Sequence, residues 1–274
     1  CCSTVLSVLT ADFPLPFKRQ LSVGSEGNDV HILQELLKRS PSVPKGLHMK
    51  DKVFDADTAH ALELFQTSVH LSKTGKMDIA TADAVLRHLM ADQYKPKYCF
   101  SIKELPSPYK YIVDIPLYAN RSIETVGTLF DRHCNALHRF QVRTHGQANY
   151  NELTTNGNTP TGMYTFDLNT PEPDPKSYGP YNVNRAVFGL EGNAKVVIPY
   201  IRNGILLHTG QWDNWNTSKP MPNSHGCMHA WPRDIKLISD ILTQQLGVVA
   251  HENPFGKLPY PFDPQGLLSI WRQD

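Results

Sequence analysis

The sequence has no long hydrophobic run and almost no net charge. No apolar stretch approaches the roughly 18 residues that cross a bilayer, so no transmembrane helix is expected. Lysine and arginine number 27 against 26 aspartates and glutamates, with twelve histidines. That balance announces no polyanion-binding surface, and nucleic acid is not an expected partner. The first residue is not Met and a signal peptide's basic flank is missing, so the chain reads as a mature, processed form. Cysteine is scarce and odd in number, five in 274 residues. With Cys227 set aside for chemistry, Cys1, Cys2, Cys99 and Cys134 form an even set, either two disulfides of open connectivity or four free thiols. A leading Cys would also suit the lipid-bearing residue of a lipoprotein.

What is present is enough for a buried core. The chain is 40% hydrophobic, and its length suggests two modest domains. Residues 1–20 form a leader with Pro14 and Pro16. From 21 to 90 the texture is helical: Val30, Leu33, Leu36 and Leu37 share one face, and Pro41 and Pro44 lie beyond it. Phe54-Asp55-x-x-Thr58-Ala59 is echoed by Met77-Asp78-x-x-Thr81-Ala82, each Asp placed to accept from the free amides of a helix start. The order Gly24, Gly27, Asp29-Val30, Leu33-Gln34, Leu37, Phe54-Asp55, Thr58, Leu64-Phe65-Gln66, Gly75 resembles the helical peptidoglycan-binding module found beside many wall enzymes. The resemblance implies anchoring to the wall polymer.

Residues 91–110 gather Pro96, Pro106 and Pro108 and read as a linker. Residues 111–250 turn to β texture, with strands expected at Tyr111–Val113, Thr128–Phe130, Phe140–Arg143, Lys195–Ile198 and Ile205–Leu207. A helix is expected after Pro232, with Ile235, Leu237, Ile238, Ile241 and Leu242 as its buried face and Gly247 closing it. The Pro- and Gly-rich 251–274 segment reads as a tail wrapping the surface. Two proline-stiffened loops, Asp167–Asn182 and Gln211–Asn223, are candidates for lids.

The chemistry concentrates in Leu206-Leu207-His208-Thr209-Gly210 and Asn223-Ser224-His225-Gly226-Cys227-Met228-His229. A free thiol, pKa ~8.5, is mostly protonated at neutral pH and needs an imidazole or positive field to become a nucleophile. His208, at the end of an apolar strand, is placed to act as that base. Gly226 permits close backbone approach, and its amide with that of Cys227 is a candidate oxyanion donor.

A His-bearing strand end followed by Ser-His-Gly-Cys resembles the L,D-transpeptidase catalytic domain (YkuD-like), and Asn158-Thr159-Pro160-Thr161-Gly162-Met163-Tyr164 is similar to a second segment of that family. The resemblance implies an α+β protein of two domains, a small three-helix peptidoglycan-binding bundle followed by a β-rich, sandwich-like catalytic domain. It implies Cys227 as nucleophile, His208 as proton acceptor, and His225 and Gly226 as their neighbours. Thr209, Ser224, His229 and Trp212 are the expected substrate-binding residues, with the Thr209 carbonyl orienting the base. One departure is that His229 stands where the family commonly has Arg or Asn, so carboxylate recognition there would be weaker and pH-dependent.

The resemblance further implies a secreted enzyme of the extracellular, periplasmic or cell-wall space. It would act as a monomer without cofactor on peptidoglycan stem peptides and the glycan wall polymer. Three alternatives remain open at this point: an L,D-carboxypeptidase or cross-link hydrolase using the same site; a zinc site built from His208, His225, Cys227 and His229; and a catalytically dead wall-binding module.

Overall fold

The computed structural model describes residues 12–253 and 256–273, so Cys1, Cys2 and the lipidation expectation lie outside the described residues. The chain divides into two units, Cys1–Ala91 and Asp92–Asp274.

The first unit is built from α1 (Asn28–Leu37), α2 (Ala56–Ser68) and α3 (Ile79–Leu89), with α1 touching both others. The four α1 apolar residues named above are fully buried. The Asp55 carboxylate caps α2 by accepting from the Thr58 amide at 2.8 Å, and Asp78 caps α3 from the Thr81 amide at 2.8 Å. Each cap is worth about 1 kcal/mol. The internal echo reaches further than these caps. Gln34, buried on α1, donates to the carbonyls of Lys50 and Val53 and to Thr58 Oγ1. Gln66, buried on α2, repeats the pattern with the Lys76 carbonyl, Thr74 Oγ1 and Thr81 Oγ1. In both copies a buried amide ties one helix to the loop and first turn of the next.

The second unit carries β1 (Tyr111–Leu117), β2 (Thr125–Asp131), β3 (Ala136–Arg143), β4 (Gly162–Asn169), α4 (Pro175–Tyr178), β5 (Val183–Glu191), α5 (Gly192–Val197), β6 (Leu206–His208), β7 (Met228–Ala230), α6 (Pro232–Asp240) and β8 (Gly266–Arg272). A π-helical turn, Ile241–Gln245, extends α6. The expected sandwich is corrected: one sheet in the order β1-β2-β3-β7-β6-β5-β4-β8 closes into a barrel. Closure leaves no exposed sheet edge. β8 makes the closure, pairing parallel with β1 and antiparallel with β4. The expectation of a surface tail over 251–274 is therefore also corrected, and the two errors are one. Prolines 259, 261 and 264 mask a strand whose Leu267, Leu268 and Ile270 are buried between β1 and β4.

Two more expectations change. Residues 92–110 are not a free connector: Tyr94 and Leu105 are buried with Ile112, Met163 and Leu267, and Cys99 forms a disulfide with Cys134. Lys195–Ile198 is not a strand, because α5 turns there to bury Ala194, Val196 and Val197, and the Ala194 amide donates to the Thr161 carbonyl. β propensity yields to such local packing. In the core, Tyr111 and Tyr164 are fully buried with their hydroxyls satisfied, by Asn184 Oδ1 at 2.8 Å and the Pro160 carbonyl at 2.5 Å.

Candidate active site

A cleft of about 780 Å³ opens at the end of β6 and β7. These strands run parallel with Leu207 opposite Met228 and His208 opposite His229. Because side chains alternate along a strand, Leu206, His208, Cys227 and His229 fall on the same face. The rings of His208 and His229 accordingly meet edge to face at 4.7 Å, and Cys227 packs with Leu206, Val183 and Tyr178.

Cys227 is the free cysteine among the described residues and is 9% exposed. Its thiol donates to the Gly204 carbonyl at 3.2 Å rather than to an imidazole. Burial pushes the thiol pKa up, opposed in part by the Leu206 amide and by the charges of Arg185 and Arg202. The loop before it is locked by Ser224, whose hydroxyl accepts from the Gly226 amide at 2.9 Å and donates to the Cys227 carbonyl at 2.8 Å. The Ser224 hydroxyl is thus engaged within the loop at the wall of the cleft. The Gly226 amide is likewise already satisfied, which removes it as an oxyanion donor in this conformation. Gly226 has φ +111°, and a Cβ there would lie 1.9 Å from Arg202 Nη2. Only glycine allows the chain to cross that guanidinium.

His208 is buried, with Nδ1 2.6 Å from the Thr209 carbonyl. Burial, helped by neighbouring His229, pushes its pKa down to about 3. The ring is neutral at ordinary pH. Facing a carbonyl, Nδ1 must carry the proton, which leaves Nε2 as the acceptor. Thr209 itself is fully buried and its Oγ1 has no hydrogen-bond partner, so only its carbonyl bears on the site.

His229 is also corrected. Its Nδ1 lies 2.7 Å from the Pro222 carbonyl, and burial pushes its pKa down to about 4. It is a neutral ring and cannot serve as a pH-dependent cation near neutrality. Trp212 lies over it, ring centroids 4.6 Å apart, and meets Trp215 edge to face. His225 is exposed at the cleft, with Nε2 2.7 Å from Gln147 Oε1. The four expected zinc donors therefore do not converge, and among the described residues no group of three or more His, Cys, Asp or Glu is arranged to hold a metal ion.

Both proline-stiffened loops contribute to the cleft, the first through Glu172 and Tyr178, the second through Trp212. The Thr159–Gly162 segment does not line it. Thr161 Oγ1 donates to Glu152 and Asp92, and a Cβ on Gly162 would meet the Glu191 carbonyl at 2.1 Å. This segment is a buried support.

Sequence reasoning missed Arg185, whose buried guanidinium pairs with Glu172 in the cleft and with Asn169 at 2.8 Å, and it missed Arg202. Each is a lone charge among apolar residues, Val183-Asn184-Arg185-Ala186-Val187 and Ile198-Pro199-Tyr200-Ile201-Arg202. An isolated charge in such a run was the available signal, because charged residues are seldom buried without a partner.

Comparison with known proteins bears on the first unit. No curated protein matches the chain. Among solved structures, a fused Zn-dependent amidase/peptidase/peptidoglycan-binding domain-containing protein from Clostridium acetobutylicum ATCC 824 aligns over 92% of this chain and 99% of its own at 14% identity, with a TM-score of 0.27. A score that low carries no argument about fold or activity. Residues 26–85, the span that holds α1, α2 and both aspartate caps, match the family described as "Putative peptidoglycan binding domain".

Proposed function

We propose that the chain is a peptidoglycan-acting cysteine L,D-transpeptidase, its first unit holding the wall polymer and its barrel carrying out acyl transfer through Cys227. The supporting observation is the pairing of β6 with β7, which sets Cys227 and His208 on one face of one cleft, with the His208 proton fixed on Nδ1 by Thr209.

In this reading the donor stem displaces the thiol from the Gly204 carbonyl. His208 Nε2 takes the thiol proton as sulfur attacks the carbonyl between a diamino acid and a terminal D-Ala. The C–N bond breaks, D-Ala leaves with the proton from His208, and a thioester remains on Cys227. A side-chain amine of a second stem, or water, then attacks the thioester and regenerates the thiol. The first route makes a cross-link and the second shortens the stem. Both use one nucleophile and one base, so the acceptor's access decides the outcome. The protein then works at the cell wall, outside the cytoplasm, without a cofactor.

Incubation with a tetrapeptide stem, resolving cross-linked dimer from tripeptide, tests the reading. Either product is expected from the unmodified protein, and neither from Cys227→Ala. A carbapenem is expected to add covalently to Cys227, and wall binding without adduct or product would favour a binding module.

A further inference from the structure

Arg202 is an unusual buried cation. It is 4% exposed and sits in the turn after α5. Its Nη1 donates to the carbonyls of Glu152 at 2.6 Å and Asn158 at 2.7 Å, and its Nη2 to those of Gly157 at 2.9 Å and His225 at 3.3 Å. All four partners are backbone carbonyls, three from the loop between β3 and β4 and one from the loop before β7. Among the described residues no carboxylate forms an ion pair with it, whereas Arg121 takes Glu152 at 2.5 Å and Arg185 takes Glu172. Carbonyl dipoles satisfy the hydrogen bonds of a guanidinium but leave its charge uncancelled in a low-dielectric interior, a costly arrangement. The guanidinium packs against Gly226, the residue before the thiol. Two residues on, the same turn supplies the Gly204 carbonyl that holds the thiol proton.

We propose that Arg202 is a positioning residue for the Cys227 nucleophile: it ties the His225 end of the loop to the Asn158 support and presents an unneutralised positive charge to the sulfur when the thiolate forms. The proposal rests on Cys227 being the reactive thiol. The turn then has two settings. With the proton on sulfur, Gly204 holds the thiol; once the proton leaves, the carbonyl repels the sulfur and the guanidinium attracts it. Of the other groups facing Cys227, Arg185 also favours the thiolate but is ion-paired with Glu172, which opposes it, and Tyr178 and His208 are neutral. Around Arg202, Tyr164 is a buried neutral phenol, and the Glu152 carboxylate is engaged by Arg121.

The test is the pH profile of Cys227 alkylation by iodoacetamide in Arg202→Gln and Arg202→Lys, with thermal stability measured in parallel. Alkylation needs no wall substrate, so a failed transpeptidase assay leaves this result interpretable. Both variants lose hydrogen bonds and melt lower. The alkylation midpoint moves to higher pH in Arg202→Gln, lowering the rate at pH 8 by roughly tenfold, and stays near the original in Arg202→Lys. Equal midpoints in all three proteins would reduce Arg202 to a structural tie and overturn the proposal. Should Arg202→Gln not fold, the guanidinium ¹⁵N resonances of the unmutated protein decide: they follow the Cys227 titration and cease to do so in Cys227→Ser, and resonances that never move overturn the proposal.

Discussion

The helical unit and the barrel unit solve the same problem, satisfying buried polar groups, at different ranges along the chain. In the helical unit Asp55, Asp78, Gln34 and Gln66 each reach partners within 24 residues. In the barrel, Arg202 reaches back 50 residues to Glu152, and Tyr94 donates to Ser269 across 175 positions. The first kind of contact leaves a periodic trace in sequence and the second does not. The barrel also places groups where water cannot screen them, and that is where the Cys227 thiol and both neutral histidines lie.

The sharpest way to break this contrast is at the thiol. Cys227→Ala is expected to reduce stem turnover by at least ~10³-fold while leaving the melting of the helical unit unchanged; residual turnover near the original would place the chemistry elsewhere. Glu152 sits at the centre of the barrel's long-range polar contacts, accepting from Arg121, Asn193 and Thr161. Glu152→Ala strands the Arg121 charge and is expected to cost about 3–5 kcal/mol in denaturant unfolding of the barrel; a loss under 1 kcal/mol would mean that the network is solvated. The helical unit answers more weakly. Asp55→Ala is expected to cost about 1 kcal/mol in that unit and to leave Cys227 alkylation untouched.

Acid sharpens the comparison further. His208 and His229 have folded pKa values of about 3 and about 4, below the ordinary 6.5. Between those limits the unfolded chain binds protons that the folded barrel refuses, so stability is fully present above pH 6.5 and falls as pH drops towards 4. His229→Asn is expected to flatten that slope in a series of denaturant titrations. An unchanged slope would mean that the ring is not buried and neutral.

The same contrast explains what the sequence revealed. The α1 face, both aspartate caps, and the strands at Tyr111 and Phe140 followed from periodicity and short-range chemistry. The Ser224–His229 stretch and His208 stood out because Gly226 and a strand-ending histidine accompany a single cysteine, and the structure places them at one cleft. Barrel closure was hidden, since β8 follows a proline-rich stretch and pairs with strands about 100 and 150 residues earlier. Ser224, Thr209 and His229 were read as facing substrate because their types suit it; in the structure the Ser224 hydroxyl is held by the Cys227 carbonyl, His229 Nδ1 faces the Pro222 carbonyl, and the Thr209 hydroxyl is buried without a partner. Arg202 was invisible because its four carbonyl partners carry no side-chain signature.

The central claim is that Cys227 carries the acyl group. Intact-protein and peptide mass spectrometry after brief incubation with a tetrapeptide stem reads it directly. The account predicts an adduct on Cys227 with the mass of the stem lacking its terminal D-Ala and lost on hydroxylamine treatment, as a thioester is. Stem turnover that persists in Cys227→Ala, or an adduct on another residue, would contradict it.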